Sequence, residues 1–523
     1  SAAVLGCESG RRPAARSNAG ETPGELAGGT AALPSPRFME SRDRTRGSSS
    51  VVLAIVLGTA SLLQVSDPAH AQSNTASPNF EQSRDEVVRI LSGFIKVDTT
   101  SPPGNETKGA EYLKAFLDKE GIASEIFEKE KGRGNLVARL KGNGRKKPLL
   151  LMGHLDVVGV ERSRWTVDPF AGVIEDGYLY GRGAMDDKGM TAVCLEVLML
   201  LHRLKVPLDR DVIFLAEAGE EGNTEVGMDF MVREHWDKIA CEFALNEGGG
   251  IRETDGKVKY VEVATTEKVP WPGFLYAKGT SGHGSRPIVD NAIVHLANAV
   301  SKLAAWQPPM RLNETTREYL SRRVLISPPE LAYLYEHVEH SALSLEVQEK
   351  LRTADPKVNA ILRTTVSPTV MEGGFLINVI PGDARARLDI RALPDEDMDA
   401  LVEQMRRIVG NSRVELVVSK GPRSPAPASR LDTEMFQALE RAQKKLFVDA
   451  ITLPVMQTGA TDSAFLRQKG VQAYGINTVL TEQDSLRGHG NDERVSIQGL
   501  GLFLRFMWEV AVDVAAAPNT SRN

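Results

Sequence analysis

The sequence predicts an α/β protein in which a smaller α+β domain interrupts a larger one. Three observations carry this. Over residues 79–269 short apolar β-type runs alternate with stretches of helical periodicity, the pattern of a sheet with helices on its faces. After Pro270-Trp271-Pro272 the order changes to strand, helix, strand, helix, strand, and this second unit extends to about residue 420. Beyond the Pro-rich residues 422–427 the first pattern resumes, so 421–523 reads as the second part of the larger domain.

Residues 1–78 stand apart, being rich in Gly, Ala, Ser, Pro and Arg without apolar periodicity. Within them Arg42, Arg44 and Arg46 precede an apolar run over 51–65, and Ala69-His70-Ala71 offers a small-x-small cleavage site before Gln72. This is the build of a secretory signal peptide, with Met39 as a natural start. The apolar run is short for a bilayer span. The expectation is an exported protein, periplasmic or secreted, with no stable membrane insertion after processing. A net charge of -6, with 41% hydrophobic and 25% charged residues, gives no electrostatic reason to expect nucleic acid. Small molecules or short peptides are the expected partners. Of the cysteines, Cys7 lies in the leader, while Cys194 and Cys241 fall in apolar segments and read as buried thiols.

In chain order, apolar spacing predicts helices over 84–95 and 108–120, then strands over 123–127, 135–140 and 148–152. A long apolar helix follows Asp186-Asp187, and strands follow at 212–216 and 243–246. The second unit should hold strands over 274–277, 384–390 and 414–418 and helices over 291–306 and 398–409. Residues 308–360 interrupt it with charged, helix-compatible sequence. Helices over 433–447 and 498–512 complete the larger domain.

The chemistry gathers where strands end. Gly181-Arg182-Gly183-Ala184-Met185-Asp186-Asp187-Lys188-Gly189 is a tight loop opening the long helix. Such loops often cradle phosphates, but this one delivers carboxylates, which repel a phosphate and attract a cation, so Asp186 is a candidate metal ligand. His154 follows the 148–152 strand. A histidine there is as often a satisfied core residue, but Asp156, two residues on, can orient the ring or support the ligand set. The 212–216 strand runs into Glu217-Ala218-Gly219-Glu220-Glu221-Gly222, where two adjacent acids can divide metal binding and general-base work between them. Another strand ends in Asn246-Glu247-Gly248. His489 sits between glycines in a polar loop and, taken alone, is a turn residue. His202, His235 and His295 lie in helix-like segments, and His337 with His340 reads as a solvated helical face.

From about residue 84 to 515 the chain resembles the co-catalytic zinc peptidases and amidohydrolases, the family of aminoacylase, glutamate carboxypeptidase, succinyl-diaminopimelate desuccinylase and yeast vacuolar carboxypeptidase. The resemblance rests on Gly153-His154-Leu155-Asp156-Val157-Val158, the loop 181–189, Glu220-Glu221-Gly222, Asn246-Glu247-Gly248, Gly279-Thr280-Ser281-Gly282-His283-Gly284-Ser285, Asn378-Val379-Ile380-Pro381 and Gly459-Ala460-Thr461-Asp462. It implies a mixed-sheet catalytic domain over 79–269 and 421–523, with an inserted lid and dimerisation domain over 270–420. It further implies two Zn2+ per subunit, Co2+ or Mn2+ being alternatives. Asp186 would bridge the pair, with His154 and Glu247 on one ion and Glu221 and His489 on the other. Glu220 would be the general base, and the Asp186-Asp187 peptide bond would be cis. His283 would polarise the scissile carbonyl of a partner subunit's site in a homodimer, and Arg391 with Asn378 would grip a substrate carboxylate. The insertion at 308–360 departs from the family pattern. The implied activity is cleavage of an amide bond beside a free carboxylate, by a carboxypeptidase, dipeptidase or N-acyl-amino-acid amidohydrolase. The alternative is an inactive member that binds or scaffolds; such relatives lose ligands or the base, and here all are present.

Overall fold

The computed structural model describes residues 77–518, so the leader, Cys7 and the signal-peptide segment lie outside the described residues. The α/β class stands. A ten-stranded mixed sheet forms the body, with strands in the order Ser124–Glu128, Gly134–Leu140, Val212–Glu217, Leu149–His154, Phe243–Asn246, Gln472–Gly475, Lys257–Glu267, Gly250–Thr254 and Val479–Thr481; Ile451–Gln457 pairs alongside Lys257–Glu267. Its centre is parallel: Leu149–His154 runs with Val212–Glu217 on one side and Phe243–Asn246 on the other. These strands are buried on both faces, as their unbroken apolar runs require. Because they are parallel, His154, Glu217 and Asn246 all lie at one edge of the sheet. Ligands in open α/β sheets collect at that carboxyl edge.

The helix Lys188–Arg203 is buried along every residue from Lys188 to Leu201. A helix apolar all round must be enclosed. Here Phe80–Ile95 and Ile497–Ala515 enclose it against one face of the sheet, in a core that includes Leu91, Phe94, Val197, Leu198, Phe503 and Met507. Each such side chain contributes about 1.5–3 kcal/mol on full burial, so the loop at its N-terminus has a rigid base. Cys194 is buried in this helix, Cys241 is half-buried, and both are free thiols. No helix among the described residues is long and apolar enough to cross a membrane.

A second, antiparallel sheet has the order Thr365–Gly373, Asp383–Ala392, Val269–Lys278 and Val414–Val418. The helices Ala292–Ala305 and Met398–Val409 close its core around Leu275, Leu296, Ile390 and Met405. Pro270 and Pro272, where the sequence pattern breaks, lie inside the Val269–Lys278 strand. They are tolerated because ladder pairing with Val414–Val418 begins only at Gly273, so no partner strand on that side needs an N–H from either proline. Residues 308–360 contain four helices, Glu314–Val324, Pro329–His337, Ser344–Ala354 and Pro356–Ile361. They do not cover the second sheet. Tyr319, Leu320, Leu334, Leu351 and Val358 bury themselves against Leu453, Val455 and Met456 of the large sheet.

Candidate metal centre

The two-residue step from His154 to Asp156 sets the first part of the site. The His154 ring is 1% exposed and its Nδ1 lies 2.9 Å from the backbone oxygen of Asp156, which turns Nε2 outward to within 3.1 Å of Asp186 Oδ1. The sequence offers the Asp156 carboxylate as a partner to orient this ring. At 3.6 Å it is too far for a direct bond. Instead Asp156, fully buried, accepts from the backbone N–H of Glu220 and of Glu221, both at 3.1 Å. One carboxylate thus fixes the turn that presents both acids. Gly153 is needed just before His154, since a Cβ there would lie 2.4 Å from Thr191 Oγ1 and 2.5 Å from Asp187 Oδ2.

Asp186 opens the other side. Its peptide bond to Asp187 is cis. Asp187 is buried and its Oδ2 accepts from the His154 amide at 3.3 Å. His489 approaches from far along the chain, its Nε2 2.9 Å from Glu221 Oε1 and 3.1 Å from Asp186 Oδ2. Its backbone has φ +57°, a left-handed conformation uncommon outside glycine, and Gly488 and Gly490 flank it. Such conformations persist where the surrounding structure holds them, commonly at functional sites.

Among the described residues three groups place ligand-type atoms within 4.8 Å of one another: His154, Asp186 and Glu247; Asp186, Glu221 and His489; and His154, Glu220 and Glu221. Asp186 belongs to the first two, which lie side by side. The His154 end is buried and the His489 end is open, with ring exposure of 1% and 54%. Burial pushes Glu220 and Glu247 well above the carboxylate range, and crowding by other acids adds to it. Burial would also raise Asp186, but bonds from His154 and His489 outweigh it and hold that carboxyl far below the usual range. Bonds to Asp186 and Glu221 lift His489 to about 10. So many acids in one dry pocket must either hold protons or share a cation. Imidazole nitrogens and carboxylate oxygens are the donor set that Zn2+ takes.

A sequence profile described as Peptidase family M20/M25/M40 matches residues 150–511. The chain belongs to this family. Among relatives of M20 type, it is 29% identical over 461 residues to the human N-fatty-acyl-amino acid synthase/hydrolase PM20D1, covering 82% of this chain and 88% of that one. Aminoacylase-1 of Dictyostelium discoideum is 25% identical over 430 residues, covering 80% and 96%. In fold it is similar to the M20 family metallo-carboxypeptidase Sso-CP2 from Sulfolobus solfataricus, with a TM-score of 0.63, 21% identity, and coverage of 82% of this chain and 98% of that one. The protein is therefore an M20 hydrolase acting on carbon–nitrogen bonds, from a metal-dependent family.

Three residues singled out in the sequence lie on the second sheet or its ribbon and belong to none of the ligand groups. His283 is exposed on a two-residue bridge in which Gly282 pairs with Ile380 and His283 with Val379, and its Nδ1 is 2.8 Å from Ser285 Oγ. Asn378 adjoins it, its backbone oxygen accepting from Gly284 N at 2.8 Å. Arg391 is half-buried and donates to Asp389 at 2.8 Å.

Two residues that sequence reading passed over hold the M20 site together. Glu493 is buried and accepts from Arg182 Nη1 at 2.6 Å and from the amides of Gly183, Met185 and Asp186 at 3.1, 2.8 and 3.1 Å, which shapes the whole glycine loop. Its only signal in the sequence is that it shares a polar loop with His489. Arg423, also buried, donates from Nη2 to Glu220 Oε1 at 2.5 Å. Nothing in a Pro-rich linker marks such an arginine.

Proposed function

We propose that this M20 protein is an exported hydrolase that holds two zinc ions and cleaves an amide bond beside a free carboxylate, in an N-acyl amino acid or at the end of a short peptide. One observation carries the reading: five ligand-type residues, His154, Asp186, Glu221, Glu247 and His489, meet around a shared Asp186, with Glu220 beside them. His154, Asp186 and Glu247 would hold one ion and Asp186, Glu221 and His489 the other. When bound, the ions supply Lewis acidity toward a carbonyl oxygen and make water a usable nucleophile near neutral pH. Glu220 also falls in a ligand group, with His154 and Glu221. Its carboxylate is already engaged by Arg423, so we give it the proton-transfer role. It takes a proton from the attacking water and returns one to the amine as the C–N bond breaks. Arg391 and Asn378 would bind the substrate carboxylate. His283, from the second subunit of a homodimer formed through the 270–420 domain, would donate to the carbonyl oxygen as charge develops there.

Two relatives named as an N-fatty-acyl-amino acid synthase/hydrolase and an aminoacylase support the N-acyl amino acid arm. An inactive, scaffolding role draws no support from the candidate site, where each residue to which we give a ligand or base role is of a type able to perform it. The test is a hydrolysis screen of zinc-loaded mature protein against N-acyl amino acids, dipeptides and N-carbamoyl compounds, read by mass spectrometry beside elemental analysis. Two metals per subunit with turnover of a carboxylate-bearing amide is expected. Saturation at one metal with full activity would sink the bridged pair, and failure on every such amide would sink the substrate class. Export predicts secreted material beginning at or near Gln72; an intact apolar segment in the membrane fraction would contradict it.

A further inference from the structure

We infer that Arg423 is a positioning residue for Glu220, tying the candidate base to the place where the chain returns from the second sheet. The inference rests on the proposed role of Glu220.

Two segments join a strand of one sheet directly to the other, forward at Glu267–Val269 and back through residues 419–428. The two crossings touch. Ser419 N donates to Pro272 O at 2.9 Å, and a Cβ on Gly421 would lie 2.2 Å from Pro270 O, so only glycine fits there. Two residues on, Arg423 turns into the large domain and is 8% exposed. Its Nη2 donates to Glu220 Oε1 at 2.5 Å, to the Glu220 backbone oxygen at 3.0 Å and to Asp462 Oδ1 at 3.0 Å, and its Nε donates to the same Asp462 oxygen at 3.3 Å. One guanidinium therefore holds Glu220 by both its backbone and its carboxylate.

The forward crossing grips the same place. Glu267 accepts from Thr461 N at 3.0 Å and Thr461 Oγ1 at 2.8 Å, and from Arg467 Nη1 at 2.9 Å. Both crossings thus anchor on Thr461-Asp462, and Arg423 extends that anchor to Glu220. A third buried acid, Glu217, faces Asp462, and Glu217 Oε2 and Asp462 Oδ2 receive no N–H or O–H. Arg423 is the cation that Glu220 and Asp462 share. A planar fork suits this task, because it bonds Glu220 and Asp462 at once; a lysine ammonium supplies the charge without the geometry.

A base must stand within hydrogen-bond reach of the proton it takes. Freed from Arg423, the Glu220 carboxylate would sample several rotamers, and a displacement near 1 Å can cost about a hundredfold. A merely structural arginine would instead lower stability without a specific loss of turnover.

The experiment uses the full-length, zinc-loaded protein and the fastest substrate of the screen above. Arg423→Met should keep two metals and a KM near wild type while kcat falls roughly 30- to 100-fold. Arg423→Lys should lose about three- to tenfold. On a Glu220→Gln background, Arg423→Met should change kcat by less than about twofold, because the two residues act as one unit. Full kcat in Arg423→Met beside a dead Glu220→Gln overturns the inference and leaves the role of Glu220 intact. An active Glu220→Gln instead overturns that role itself. A loss confined to KM or metal content, or one that multiplies fully with Glu220→Gln, also overturns the positioning role. If Arg423→Met does not fold, wild-type kcat in Arg423→Lys refutes it.

Discussion

Replacing Glu493 with Gln removes a charge that no ligand atom touches, yet the substitution should weaken metal binding. The carboxylate is fully buried and satisfies four donors, Arg182 Nη1 and the amides of Gly183 and of Met185 and Asp186. Oε2 serves the first two and Oε1 the last two. Gln keeps the volume but turns one oxygen into an N–H donor, so whichever way it sits, two donors lose their acceptor. Arg182, 2% exposed, also loses its counter-charge, although its Nη2 still donates to the Gly490 carbonyl at 2.8 Å. An unsatisfied buried donor costs about 1–3 kcal/mol, and breaking a buried ion pair by removing one charge about 3–5 kcal/mol. These effects overlap, so roughly 3–5 kcal/mol in all is the reasonable figure, and folding bears part of it. The rest falls on Asp186, whose backbone amide is one of the four donors and whose carboxylate both half-sites share. Loss of such a supporting partner typically weakens metal affinity by about 10- to 100-fold. Competition of zinc against a chelating dye, with thermal melts of the apo and loaded forms, would measure both shares. A folded Glu493→Gln protein with wild-type zinc affinity would refute the reasoning, because the loop geometry would then not depend on the carboxylate.

Three further outcomes are expected. Glu220→Gln should retain metal while losing about a hundred- to ten-thousandfold in turnover, and Glu221→Gln should lose metal; exchanged effects would mean that the two acids have been assigned in reverse. Inactive Glu220→Gln and His283→Ala subunits, mixed and exchanged, should recover roughly a quarter of wild-type activity if His283 serves the partner's site, since half the dimers would be mixed and each would hold one intact site; no recovery despite exchange confirmed by mass rules that out. Burial, followed by the Glu86 charge, pushes the Glu196 carboxyl on the core helix up to about 8, against the pull of the Arg203 guanidinium 3.5 Å away. The unfolded chain releases that proton first, so this group subtracts stability progressively as pH rises from about 4.5 to 8, reaching a few kcal/mol. Glu196→Gln should therefore raise the Tm by about 3 °C at pH 8.5, at roughly 1 °C per kcal/mol for a body this size, and change it little at pH 5. A difference independent of pH would count against the buried-acid account.

Helices with one apolar stripe were legible in the sequence to within a few residues. The expected 84–95 helix is Phe80–Ile95, and the 398–409 helix is Met398–Val409. The central parallel strands Leu149–His154, Val212–Glu217 and Phe243–Asn246 were equally plain, because burial on both faces forces unbroken apolar runs, whereas the parallel-paired Ile451–Gln457, Gln472–Gly475 and Val479–Thr481 were not foreseen. Thr365–Gly373 was not, since it is an edge strand with mostly exposed side chains and carries little alternation to read. The four helices of the insertion showed their helical character but not their destination, because their apolar positions match Leu453, Val455 and Met456, which lie far along the chain beyond the whole second sheet. In the site, the candidate ligands His154 and Glu247 are of recognisable type and stand at strand ends, whereas His489 sits in a polar loop whose sequence reads as a turn. Arg423 and Glu493 act by bonding across the fold, and in sequence a buried charge looks the same as a solvated one.

The chain order of the site has a consequence for biogenesis. His154, Asp186 and Glu247 fall within about 90 residues of one another in the chain, whereas His489 reaches Glu221 across 268 residues and Glu493 closes onto Arg182 across 311. Contacts this distant form late, because the intervening chain must first be ordered. A nascent or C-terminally clipped chain can thus offer at most one of the two cation pockets, with its shared carboxylate held by a loop that nothing yet braces. On the two-ion reading proposed above, full metal loading would double as a completeness check: only a chain folded through its final helix brings His489 and Glu493 to the site, and a nick in the 482–496 segment would take one set of candidate ligands apart.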